Sequence, residues 1–246
     1  MEFPRSRVVT SFAWDGETIV YPPPAAGDDL AAIGPVSGYF ASSGHQVHGD
    51  TYPMTWGDDG EIWTSSGDPH WGGKPDGLDV EKITGAPPNY RIARVHAMPE
   101  YKGNGGEGQK PTGMTSVRGV LYLAFQNLLG KKPPARGEKS QHGSDASIVS
   151  SWSRGRTWDP PFARLGAPMF PGSAFGGPAF VNFGPDNANA RDEFVYAVSS
   201  DQWDNGSHLR LGRVRADRIH VAKAWEWIAS VRGASPRWTG RLERAV

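Results

Sequence analysis

Cysteine is absent from this 246-residue chain, which excludes disulfides, thiolate catalysis and cysteine-built zinc sites. Net charge is absent too: 26 Lys and Arg balance 26 Asp and Glu, so neither a nucleic acid nor an anionic membrane is an expected partner. No apolar run approaches membrane-spanning length. The opening "MEFPRSRVVTSF" has no apolar signal-peptide core, so the compartment stays open, and an extracellular or periplasmic location fits if a leader was removed. Helical periodicity is nearly missing. Phosphate-binding loops are missing as well, since "GNGGEG" (103–108) has the glycines without the Lys-Ser/Thr or the following helix. There is no HExxH, no Gly-x-Ser-x-Gly and no EF-hand loop, and no cofactor is expected. His45 and His48 stand three residues apart near Asp50, but no third ligand is assignable, so they read as loop histidines and no metal is expected.

What the chain does have is glycine and proline, 32 and 21 residues, together with ten tryptophans. Short apolar groups broken by Gly, Pro, Asn and Asp read as strands joined by turns, and the aromatics argue against wholesale disorder. The fold class expected is all-β, in a single domain over 1–246. The best helix candidate, "ADRIHVAKAWEWIASV" (216–231), is rich in Trp and Ile and reads as a turn or short helix leading into a strand. Three segments share a pattern: "YPMTWGDDGEIWTSSGD", "KPTGMTSVRGVLYLAFQN" and "GPAFVNFGPDNANARDEFVYAVSSD". Each runs from a proline through a strand and a polar turn to a second strand bearing an aromatic, Trp63, Tyr122 or Tyr196. Spacings of 59 and 74 residues between those aromatics exceed one hairpin and fit a four-stranded sheet per repeat, the signature of β-propeller blades. The blades are expected near 48–98, 110–165 and 177–240. Three linkers, 21–38, 99–111 and 130–145, read as solvated loops. The stretch "SWSRGRTW" (151–158) resembles the Asp-box turn of sialidases and other propellers, with Ser153 where that motif has aspartate, and its meaning is architectural.

Candidate chemistry rests on carboxylates. Chain connections at one end of a propeller converge on an axial pocket, and a glycosidase needs two acids there, one protonated and one ionised. Asp50 lies just before the first strand of its repeat and Asp68 just after the second, so a strand pair running out and back brings both to one end. Asp201 follows "EFVYAVSS" in the same way. These three are the candidate catalytic residues, although Asp50 could instead cap the turn before its strand. Asp58 and Asp59, in the "GDDG" turn, face the other end as turn formers. Asp192 is a candidate for substrate binding, or a turn cap, or a partner for Arg191. Glu107 and Lys110 approach the pocket end, and Tyr52, Trp71 and Trp203 lie beside the acids as flat platforms for sugar rings.

"GDTYPMTWGDDGEIWTSSGD" resembles a Gly-Ser-Asp-x-Trp-Pro-x-Thr-Trp-Ala-Asp-Asp-Gly pattern found in a family of bacterial glycoside-hydrolase-like proteins, whose relatives include endo-D-arabinanases. "KPTGMTSVRGVLYLAFQN", "AFVNFGPDNANARDEFVYAVSSD" and "LRLGRVRADRIHVAKAWEWIASVRGASPRWT" are similar to its later segments, so the likeness spans roughly 6 to 244. It implies a five-bladed propeller with an acidic axial pocket acting on polysaccharide, and on matching positions it implies roles for Asp50, Asp68, Lys110, Arg191, Asp192 and Asp201. Two departures stand out. Tyr52 replaces the usual tryptophan, and the chain stops at "RWTGRLERAV" where the family continues. About three blades are visible, so an incomplete ring, or a homodimer or other cover for open blade edges, is expected. The functional expectation is a glycoside hydrolase on a polysaccharide or oligosaccharide, with arabinan as its narrowest form. The alternatives are a non-catalytic carbohydrate-binding protein, and a polysaccharide lyase with Lys110, a tyrosine or a histidine as base and Arg191 neutralising a uronate.

Overall fold

A computed structural model describes residues 49–67, 69, 78–85, 90–98, 109–126, 143–160, 167–201, 206–232 and 235–246. They form three antiparallel sheets. The first orders β1 (Met54–Trp56), β2 (Ile62–Gly67), β3 (Leu78–Thr84) and β4 (Arg91–Met98) as a plain meander. The second orders β5 (Lys110–Val117), β6 (Val120–Gln126) and β7 (Ser147–Ser151). The third runs from β8 (Ala179–Val181) through β9 (Phe194–Ser200), β10 (Leu209–Arg215) and β11 (Glu226–Arg232) to β12 (Ser235–Thr239). The chain is all-β: helix among the described residues is limited to three-residue 3-10 turns, one of them Ala222–Ala224 leading into β11. Among the described residues, four strands per sheet holds for the first alone. The second has three among the described residues, and "SPRWT" folds back on β11 to give the third a fifth.

The second sheet is the middle layer, and β6 shows why. All seven of its residues are buried, so the two-residue period of a strand serves two cores at once. Leu121, Leu123 and Phe125 face the first sheet, packing with Trp63, Leu78 and Val80. Val120, Tyr122 and Ala124 face the third, where Phe170, Phe175, Trp225 and Trp227 make an edge-to-face aromatic cluster. Each such aliphatic or aromatic burial contributes about 1.5–3 kcal/mol. Gly212 is required beside that cluster, since a Cβ there would sit 2.9 Å from Phe175. The Asp-box-like turn is architectural: Ser151 Oγ accepts from Gly155 N at 2.8 Å, and Ser153 Oγ, in the aspartate's place, accepts from Thr157 N at 2.8 Å.

The strands that begin the three sheets, β1, β5 and β8, lie side by side. Gly113 permits the approach of β8, because a Cβ there would lie 2.5 Å from Pro178 O. Along this junction the strands exchange side-chain bonds. Asn182 Nδ2 donates to Met54 O and to Met114 O, both at 3.0 Å, while its Oδ1 accepts from Thr55 Oγ1 at 3.2 Å. Asn187 Nδ2 donates to Thr115 Oγ1 at 2.7 Å, and Asp186 accepts from Ser116 Oγ at 2.6 Å. One amide therefore joins all three sheets. Asn182→Ala should destabilise the protein by about 1–3 kcal/mol. Asn182→Asp, which keeps the shape but turns acceptors toward two carbonyls, should do no better. Denaturant titration reads both, and a neutral result for either removes this role from Asn182.

Candidate functional site

The common end of the starting strands opens into a cavity of about 430 Å³. Every sheet contributes to it: Thr51, Tyr52 and Pro53 lead into β1, Pro111 and Thr112 open β5, and Gln126 ends β6. Gly177 leads toward β8, and Ser200 ends β9. Asp50 is fixed beside this end by its backbone, which exchanges hydrogen bonds with Gly67 at 2.8 and 2.9 Å. Gly49 (φ 50°) and Thr51 (φ 51°) flank it in the left-handed region, which a β-branched residue such as Thr51 rarely adopts. Gly49 has no alternative, because a Cβ there would lie 2.2 Å from Gly67 O.

The Asp50 side chain is 63% exposed, and its Oδ1 lies 4.0 Å from Nζ of the buried Lys110. Gly67 makes room for that approach, since a Cβ at this position would meet the Lys110 stem at 3.0 Å. Beside them, Tyr52 carries a buried hydroxyl without a hydrogen-bond partner, as do Thr51 Oγ1 and the amide nitrogen of Gln126. Burial pushes the Tyr52 phenol well above its ordinary value, and the Glu81 and Asp50 carboxylates push it further. Three cavity-lining residues thus hold polar atoms that the fold leaves unpaired.

The remaining candidates divide. Asp201 directly follows Ser200, but its carboxylate accepts from Ser207 N at 2.9 Å and His208 N at 3.3 Å, and pairs with His208 Nδ1 at 3.1 Å. Desolvation pulls it upward, yet the bonds from His208 and Ser207 outweigh this together and hold it below the ordinary carboxylate range. That environment suits a loop cap and does not suit the proton donor expected of it. Arg191 and Asp192 are placed away from the cavity. They precede β9, whose seven residues span roughly 20 Å at about 3.3 Å each, so they stand at the end opposite the cavity. Asp192 caps its own turn, accepting from Phe194 N at 2.9 Å and Tyr196 OH at 2.7 Å. Asp59 does the same in the first hairpin, accepting from Glu61 N and Trp63 Nε1, both at 3.2 Å. Asp58 pairs with Arg154 at 3.2 Å. Asp68, Trp71, Glu107 and Trp203, with His45 and His48, lie outside the described residues. Among the described residues no cluster of three metal-binding side chains occurs.

Two buried groups escaped the sequence reading. Gln126 ends the apolar strand β6, and nothing in its local pattern marks it as buried. Glu81 alternates with Leu78 and Val80 in "LDVEKIT", a pattern that reads as a solvated face, yet it is fully buried. Ser66 Oγ donates to Glu81 Oε1, while Oε2 has no partner. Desolvation dominates and raises this carboxyl to about 8, with the Ser66 bond opposing and the Asp79 charge adding. The sign of the linkage follows. The folded state holds the Glu81 proton more tightly than the unfolded chain, whose value is near 4.5, so stability is lost as pH rises from there to about 8. Glu81→Gln should therefore gain in Tm relative to wild type progressively between pH 5 and 8, with the smallest difference at the acid end. A constant difference across that range would show that Glu81 does not titrate there.

No protein-family model matches this chain, and no curated protein shows a significant match to it.

Proposed function

We propose that the protein is a glycoside hydrolase with a propeller-like arrangement of its sheets, and that the cavity between the starting strands is its sugar site. The propeller reading is supported by three sheets of consecutive antiparallel strands whose first members lie side by side. The observation that carries the functional reading is the lining itself. Thr51, Tyr52 and Gln126 hold unpaired, buried polar atoms in one open cavity. Such atoms cost stability unless a ligand completes them. A sugar suits them, because its hydroxyls both donate and accept and its ring can rest on an aromatic face such as that of Tyr52.

Asp50 stands at this cavity with a solvent-accessible carboxylate facing the Lys110 ammonium. It serves as the base that activates water, or as the nucleophile. A polysaccharide is the substrate class, with arabinan the narrowest form of the reading. A second reading, a non-catalytic carbohydrate-binding protein, is favoured by the Asp201 carboxylate being committed to its own loop. The lyase reading loses one of its supports, since Arg191 stands at the end of β9 away from the cavity.

Asp50→Asn should lower turnover by roughly 10²–10⁴-fold while leaving oligosaccharide binding and the thermal midpoint near wild type. The assay is reducing-sugar release from purified arabinan, xylan, glucan and pectin, with binding followed by calorimetry. Wild-type binding without turnover on any of them would establish the second reading. Full activity in the Asn variant would remove Asp50 from the chemistry.

A further inference from the structure

Gln126 is 1% exposed, yet it lines the cavity, and its Nε2 has no hydrogen-bond partner. Burying an amide N–H without an acceptor is destabilising, so a fold does not place one at a cavity wall without consequence. Its position is also held tightly. Lys110 stands opposite it in the β5–β6 register. On the other side Gly177 is fixed by donating its N–H to Ser199 Oγ at 3.0 Å. A Cβ at Gly177 would lie 3.3 Å from Gln126 Oε1 and 3.6 Å from Thr112 Cγ2. The missing side chain leaves the amide its space and its orientation.

Given the carbohydrate reading above, on which this rests, we infer that Gln126 is the specificity-determining residue of the cavity and that the sugar it selects is uncharged. The Gln126 amide nitrogen donates to a hydroxyl or ring oxygen of the sugar, which supplies the acceptor that the fold does not. Uncharged substrate follows from the charge at this wall. Lys110, across the strand pair, already faces the Asp50 carboxylate at 4.0 Å, and the amide itself carries no charge. A uronate bound here would set its carboxylate near Asp50, with no further cation among the described lining residues. A neutral polyhydroxylated ring meets no such repulsion.

The test is isothermal titration of the whole chain with neutral arabino- and xylo-oligosaccharides and with oligogalacturonates. It uses wild type, Gln126→Leu, which removes the donor at similar size, and Gln126→Glu, which replaces it with acceptors. Wild type should bind a neutral oligosaccharide at least about tenfold more tightly than oligogalacturonate, and each variant should lose roughly tenfold or more for the neutral ligand. The Tm of Gln126→Leu should equal or exceed that of wild type, because an unpaired buried donor is gone. The inference is overturned by affinities within twofold of wild type in both variants, by a Tm loss with unchanged affinity per folded molecule, or by preference for the galacturonate. Wild type that binds none of these sugars would instead overturn the carbohydrate reading itself, and the inference with it.

Discussion

Each sheet begins with an edge strand, and an edge strand carries backbone groups that no ladder satisfies. Where β1, β5 and β8 converge, the unmet groups would face one another in a part-buried space. Asn182 resolves this with one side chain, both N–H groups spent on carbonyls of β1 and β5 and its oxygen on Thr55. Thr55 Oγ1 in turn accepts from Ser116 N at 3.0 Å, so a hydroxyl takes the role a neighbouring strand would have played. The junction lies two to five residues along the chain from the cavity-lining Tyr52, Thr112 and Gly177, or roughly 7–17 Å. It acts as the floor. With the strands pinned there, the segments before them can diverge at the other end, and the cavity is the space they leave.

The same pinning explains which parts of the architecture could be read in the sequence. Hairpins depend on local signals: "DDG" between β1 and β2, and Arg118-Gly119, both at positive φ, between β5 and β6, are turns that declare themselves. A deeper local rule was also present. Asp59 and Asp192 each precede an aromatic by four residues, Trp63 and Tyr196, and each bonds that aromatic and the backbone two residues on. Recognising the two as equivalent would have placed Asp192 with the turns, at the end away from the cavity. The number of strands in each sheet was less legible, because whether "SPRWT" adds to β11 depends on the path of the chain beyond its own residues.

Site residues were partly legible for a different reason. A carboxylate at a strand end can be located by counting, but its chemistry is set by what surrounds it. Asp50, before β1, and Asp201, after β9, both stand near the cavity, yet one faces a buried ammonium and the other is wrapped by the loop at 206–208. Nothing in the residue type separates them. Burial is harder still, since alternation marks which residues share a face and not what covers that face. Glu81 and Asp79 share a strand with Leu78 and Val80, and the pattern assigns the acids to water; the fold instead excludes water from both.

That exclusion places two carboxyl groups of opposite character close to one phenol. Asp50 is largely solvated, and Glu81 is fully buried with a raised affinity for its proton. Burial already disfavours ionisation of Tyr52, and the two carboxyl groups oppose it further, so the phenol stays a hydrogen-bond donor over the whole neutral range. If Glu81 were ionised below pH 7, two negative charges would bear on that one hydroxyl and on any sugar oxygen approaching it. Desolvation prevents this by keeping the inner acid neutral, which among the described residues leaves the Asp50 carboxylate as the charge that faces Lys110 at the cavity. The neutrality of the inner acid therefore fixes the charge balance of the outer site.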